Sequence, residues 1–197
     1  RLFSFFVFHL FVLASMVSTA ADTSPTTARI DSLISLMETT ACDQDSLTLL
    51  YYGEIKGSLS GYPRGALKAL EQLGKMKYCA GDLDSAIYYY RRAAQIGLQH
   101  DLNAESVKLL NRLGFYFQTA GLLDSSSYYL NKGLLLAQEV GDSLYIGSSY
   151  VGIGILYQHK GQIDRALDAY FQALRIAEAI DDKPLIITAK LNVATIY

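Results

Sequence analysis

The chain has 197 residues, with 17 Lys plus Arg against 19 Asp plus Glu and a formal net charge of −2. That balance lacks the basic excess a nucleic-acid backbone selects, so no nucleic-acid partner is expected through this region. Apolar residues make up 51% of the chain, part of it in the leader described next, which is ample for a buried core.

Residues 1–21 read as an export signal. Leu2 to Val17 is apolar except for Ser4, His9 and Ser15, and Ser18-Thr19-Ala20-Ala21 supplies the small residues a signal peptidase accepts. Cleavage after Ala20 or Ala21 is expected. The alternative is an uncleaved anchor, for which a sixteen-residue apolar run is short of the roughly twenty residues a span needs. Contact with a membrane is expected only through this uncleaved segment or through a span further along. No cysteine follows the apolar run, so a lipoprotein signal is not expected. The chain opens on Arg1, and its natural start is expected to lie upstream.

Residues 22–27 are polar and form a flexible lead-in. Residues 28–63 read as a degenerate first helix pair, over 28–40 and 45–58, closed by the turn Gly61-Tyr62-Pro63-Arg64-Gly65. From there, first helices are predicted over 65–79, 104–119, 144–159 and 184–197, and second helices over 83–98, 123–140 and 163–180. Within 104–142, Val107, Leu110, Leu113, Gly114 and Phe117 recur at the three- and four-residue spacing of one helix face. Tyr129, Leu130, Gly133, Leu134, Ala137 and Val140 repeat the pattern in the second helix. Gly121 and Gly141 stand where those helices must stop, and glycine takes the left-handed stop conformation without a Cβ penalty. The chain ends at Tyr197 inside a predicted first helix, so the last unit is truncated and a longer protein is expected.

Shifting the chain by forty residues superimposes it on itself without a gap. GLLDSSSYYLNKGLLLA at 121 falls on GDLDSAIYYYRRAAQIG at 81 and on GQIDRALDAYFQALRIA at 161. A period held this strictly is the signature of a solenoid. The small residues have a mechanical reading: closely crossing helices leave no room for long side chains. Gly114, Ser126 and Gly133 are expected to form one such close helix contact, and Gly154, Ala166 and Ala173 another.

Leu-Gly-x-x-Tyr/Phe, then Gly, then Ala, Tyr and Ala resembles the tetratricopeptide repeat. The best unit carries Gly154, Tyr157, Gly161, Ala166, Tyr170 and Ala173; the first carries Gly74, Gly81, Ala86, Tyr90 and Ala93, with Lys77 in place of the usual aromatic. The middle unit departs at Ser126, Leu130 and Gly133. The early Trp and terminal Pro of the family are absent, and the period is forty residues where thirty-four is usual. The extended repeats of kinesin light chains and of bacterial peptide-responsive regulators are similar. The resemblance covers residues 64–197 well and 27–63 loosely. It implies an all-α fold, an α-solenoid of stacked antiparallel helix pairs wound as a right-handed superhelix.

Nothing in the chain carries obvious chemistry. His100 and His159 with Cys42 and Cys79 make no zinc spacing. Gly152-x-Gly154 lacks a third glycine and lies inside a helix. No metal, cofactor or catalytic residue is expected. Cys42 and Cys79 could meet, and export would permit a disulfide; buried free thiols are the favoured reading.

The resemblance implies binding of a protein or peptide along the concave face of the first helices. The exposed positions there would be Lys68, Glu71, Lys75, Lys108, Asn111, Arg112, Phe115, Gln118, Gln158 and His159. Lys68, Lys75, Lys108 and Arg112 outnumber Glu71, and an acidic ligand would suit that half; ordinary solvated lysines are the plainer alternative. The family's carboxylate clamp is missing, since its positions read Glu71, Lys75, Arg112, Ser148 and Gly152. Three roles remain open: an exported interaction scaffold, the periplasmic sensory region of a membrane histidine kinase or helix-turn-helix regulator, or an accessory domain of a secreted enzyme.

Overall fold

The computed structural model describes residues 27–40, 45–56 and 61–196. Among the described residues there are nine helices and no strand. They are α1 (Thr27–Thr39), α2 (Asp45–Ile55), α3 (Pro63–Cys79), α4 (Leu83–Gln99), α5 (Asn103–Thr119), α6 (Leu123–Val140), α7 (Ser143–His159), α8 (Ile163–Ala179) and α9 (Lys183–Ala194). The expected leader, the lead-in up to Thr26, Cys42 and Tyr197 lie outside the described residues.

The turns set the architecture. Phe117 accepts from the Leu122 amide across a left-handed Gly121 (φ +73°), which ends α5. The same bond recurs from Asp82, Leu102, Asp142, Gln162 and Asp182 to the residue five back, so α3 to α8 each close in a Schellman-type turn. Left-handed residues therefore stand at 81, 101, 121, 141, 161 and 181, one every twenty residues. The forty-residue period is thus two halves of equal length, and each helix folds back on the last. Three helices also receive a side-chain cap: Asp82, Asp142 and Asp182 accept from the Ser85, Tyr145 and Leu185 amides.

Sequential helices pack antiparallel, and first helices pack side by side: α1 on α3, α5 on α7, α7 on α9. The core is a stripe between the layers, from Ile30 and Ile34 through Leu67, Leu73, Leu109 and Leu113 to Leu156, Tyr170 and Ala189.

The glycines of the first helices make room for a large side chain from the second helix, which corrects the expected close contact between helices. A Cβ on Gly74 would collide with the Tyr90 ring, on Gly114 with Leu130, and on Gly154 with Tyr170. These three occupants are themselves forty residues apart. Gly133 lies over the Asn111 amide, and Ala86, Ala93, Ser126, Ala166 and Ala173 are fully enclosed.

Cys79 is disulfide-bonded and exposed at the end of α3, so the buried free thiol favoured by the sequence is not found there.

Candidate functional site: the concave face of the first helices

Lys75, Phe115 and Ile155 occupy one register position on α3, α5 and α7, forty residues apart. Lys75 and Phe115 are exposed and Ile155 is half-buried. Ile155 packs against the core cluster of Val151, Ala173, Ala177, Leu185 and Ala189.

The first half of this face differs from the second. Between α5 and α7 the contact is direct. Asn111 donates to Ser149 Oγ (2.9 Å) and accepts from it (3.1 Å), and Gln118 Nε2 donates to the Gly152 carbonyl (3.0 Å). The space left by the absent side chain of Gly152 is filled by Leu130 of α6. One hairpin earlier the same register position is Arg112, and α3 and α5 meet mainly through long side chains. Lys108 Nζ reaches Glu71 at 2.7 Å, and Arg64 reaches Glu105 at 3.2 Å. Tyr78 and Phe115 meet edge to face at 6.1 Å, and both rest on Tyr116, at 4.7 and 5.6 Å. Tyr116 in turn lies edge-on to Tyr90 at 5.0 Å. Burial pushes the Tyr90 phenol, and less strongly that of Tyr116, above the ordinary range, so both stay protonated.

Of the ten sequence-predicted groove positions, Lys75, Lys108, Arg112, Phe115 and His159 are exposed, while Lys68 and Glu71 are half-buried, Glu71 paired with Lys108. Three are occupied internally. Gln118, expected to be exposed, is only 5% accessible because α7 covers it. Asn111 is paired with Ser149, and Gln158 accepts from the Tyr170 hydroxyl at 2.9 Å. Tyr78 was missed. The signal for it was present, since it follows Lys75 by one turn; the structure leaves it 37% exposed.

Among the described residues no group of three His, Cys, Asp or Glu is placed to hold a metal. Among them, too, no helix is long and apolar enough to cross a membrane.

The geometry defines a solenoid of helical hairpins. Residues 105–197 match the family model for the tetratricopeptide repeat, and that part of the chain is built of such repeats. No curated relative matches the sequence. Among solved structures, the chain resembles BtubC (BKLC) from P. vanneervenii with TM-score 0.62 and 16% identity, over 89% of this chain and 84% of that one. A putative kinesin light chain from Podosopora anserina with nearly identical TPR-like repeats gives TM-score 0.63 at 14% identity, over 87% of each chain. The apo form of RapI gives TM-score 0.66 at 15% identity, over 84% of this chain and 44% of that one. At these identities the likeness establishes the fold alone.

Proposed function

We propose that the chain is an exported, non-catalytic scaffold that holds an extended segment of a partner protein along the first helices. The observation that carries this is the pair Lys75 and Phe115, exposed side chains at one register position that the core does not consume, while Ile155 at the third position packs against it. An extended segment advances about 3.3 Å per residue and can meet successive first helices with alternate side chains. Export rests on the leader at 1–21 and is supported by the disulfide at Cys79, since such bonds persist in oxidising compartments.

A photo-crosslinking residue at position 115 should capture a partner in the producing cell. The same residue at position 128, on the outer helix α6 where Tyr128 is 59% exposed, should not. Capture from 128 alone would contradict the groove.

A further inference from the structure

We propose that the outer face of α4 and α6 binds an acidic polysaccharide, its sugar rings stacking on Tyr88 and Tyr128 and its carboxylates meeting Arg91, Arg92 and Lys132. This surface is separate from the first-helix face proposed above, and its ligand is a glycan and no protein.

The two rings point outward by the geometry of the helix. Tyr90 and Leu130 point inward, filling the space over Gly74 and Gly114. Tyr88 and Tyr128 precede them by two residues, about 200° round the helix, and so turn away from the first helices. They are 53% and 59% accessible. Their neighbours hold them in place. Arg92 lies over Tyr88, 5.9 Å from the ring centroid, and donates to its hydroxyl at 3.3 Å. Lys132 lies over Tyr128 at 6.0 Å. Tyr89 and Tyr129 meet the two rings edge to face at 5.3 and 5.1 Å. The helices α4 and α6 do not pack side by side as α5 and α7 do, and Phe117 from the end of α5 bridges them. It stacks on Tyr129 at 5.2 Å, and the Arg91 guanidinium lies 5.8 Å from its centroid. A chain of contacts thus crosses from Arg91 on one outer helix to Tyr128 and Lys132 on the next.

The repeat does not demand this band, since on α8 the positions of Tyr128 and Lys132 read Asp168 and Gln172. Arg91, Arg92 and Lys132 have no ion pair among the described residues. The acids of α4 and α6, which are Asp84, Asp124 and Glu139, lie in the first or last turn. Positive charge is therefore left open beside two exposed rings, in a chain whose net charge is −2.

Chemistry then selects the ligand. The face of a phenol ring is electron-rich and attracts the weakly positive C–H groups on one side of a pyranose. A uronic acid unit offers such a C–H face and one carboxylate, and its polymer repeats both. The protein repeats the complementary pair, ring and cation, at one register position on two helices. An acidic peptide matches the charge without the flat C–H face. A membrane surface favours rings free to reach inward, and Tyr88 is tied down by Arg92.

Isothermal titration calorimetry on the full chain tests this with hexamers of galacturonate and of mannuronate, the neutral methyl ester of the first, and hexaglutamate. At least one uronate hexamer should bind about tenfold tighter than the ester and than hexaglutamate, and weaken as salt is raised. Tyr88→Ala with Tyr128→Ala should cost about tenfold, and Arg92→Gln with Lys132→Gln should erase the preference over the ester, while Phe115→Ala on α5 changes nothing. Helical circular dichroism checks that each variant is folded. Hexaglutamate binding as tightly as the uronates would reduce the face to a general anion surface and overturn the proposal. Sedimentation with phosphatidylglycerol vesicles that needs Tyr88 and Tyr128, with neither uronate bound, would put a membrane in place of the glycan. Failure of both hexamers, or uronate binding that the tyrosine variant leaves unaltered, would equally sink it.

Discussion

At Gly154 the absent side chain is as specific a requirement as any ring in the core. A single methyl there would fall inside the Tyr170 ring, which is fully buried and hydrogen-bonded to Gln158, so it cannot swing aside. Gly154→Ala is expected to destabilise by about 1–3 kcal/mol through overpacking, despite alanine's better helix propensity. Denaturant titration measures it, and a stabilised variant would contradict the packing. Ser126 makes the opposite case. Its hydroxyl is enclosed with no hydrogen-bond partner, and the residues forty before and after it are Ala86 and Ala166. Ser126→Ala removes an unpaired buried polar atom and loses no contact, so a gain of about 1 kcal/mol is expected from the same titration. The need for small residues was legible in the sequence because glycine and alanine recur at fixed register. What fills the space was not, because that depends on how two helices are rotated against each other. Gln118 misled for a related reason: a polar side chain on a first helix looks solvent-facing until the neighbouring helix arrives and offers the Gly152 carbonyl.

The helical element is a unit of about seventeen residues plus a three-residue turn, and the turn is more constant than the sequence that makes it. Positions 101, 141 and 181 are all left-handed, yet they read Asp, Gly and Asp, with φ values of 54°, 72° and 53°. Aspartate tolerates this region far better than bulky or β-branched residues do. The molecule has thus already made the exchange twice, which fixes the expectation at the third site. Gly141→Asp should cost less than about 1 kcal/mol, whereas Gly141→Val should cost about 2 kcal/mol from backbone strain. Comparable losses in the two variants would mean that the αL turn does not set the end of α6. The helix boundaries were legible to within a residue or two wherever glycine marked the stop. The equal halves were not, because two of the six stops carry no glycine and read as ordinary polar loop. Cys79 belongs at this scale too. Its bonding depends on where α3 ends relative to the preceding hairpin, and spacing along the chain does not encode that.

Across the whole molecule, the first helices are joined by two kinds of contact, and both leave phenols sealed beneath them. Tyr90 lies under α3 and Tyr170 under α7, in the same register, with Leu130 between them. Burial raises the Tyr170 phenol from 10.0 to about 12 and raises Tyr90 further. A folded-state value above the unfolded one makes the contribution complete below pH 10 and progressively lost as pH climbs through the folded value. Unfolding in alkali is therefore expected to set in between pH 10 and about 12, the window opened by Tyr170. The last phenolates should appear only as helical circular dichroism is lost, with ultraviolet absorbance recording the phenolates. Tyr170→Phe removes the ionisable group and keeps the ring over Gly154, so its unfolding midpoint should move to higher pH. Unfolding that moves to lower pH in Tyr170→Phe, or complete phenolate formation in a fully helical protein, would show that these rings do not close the solenoid.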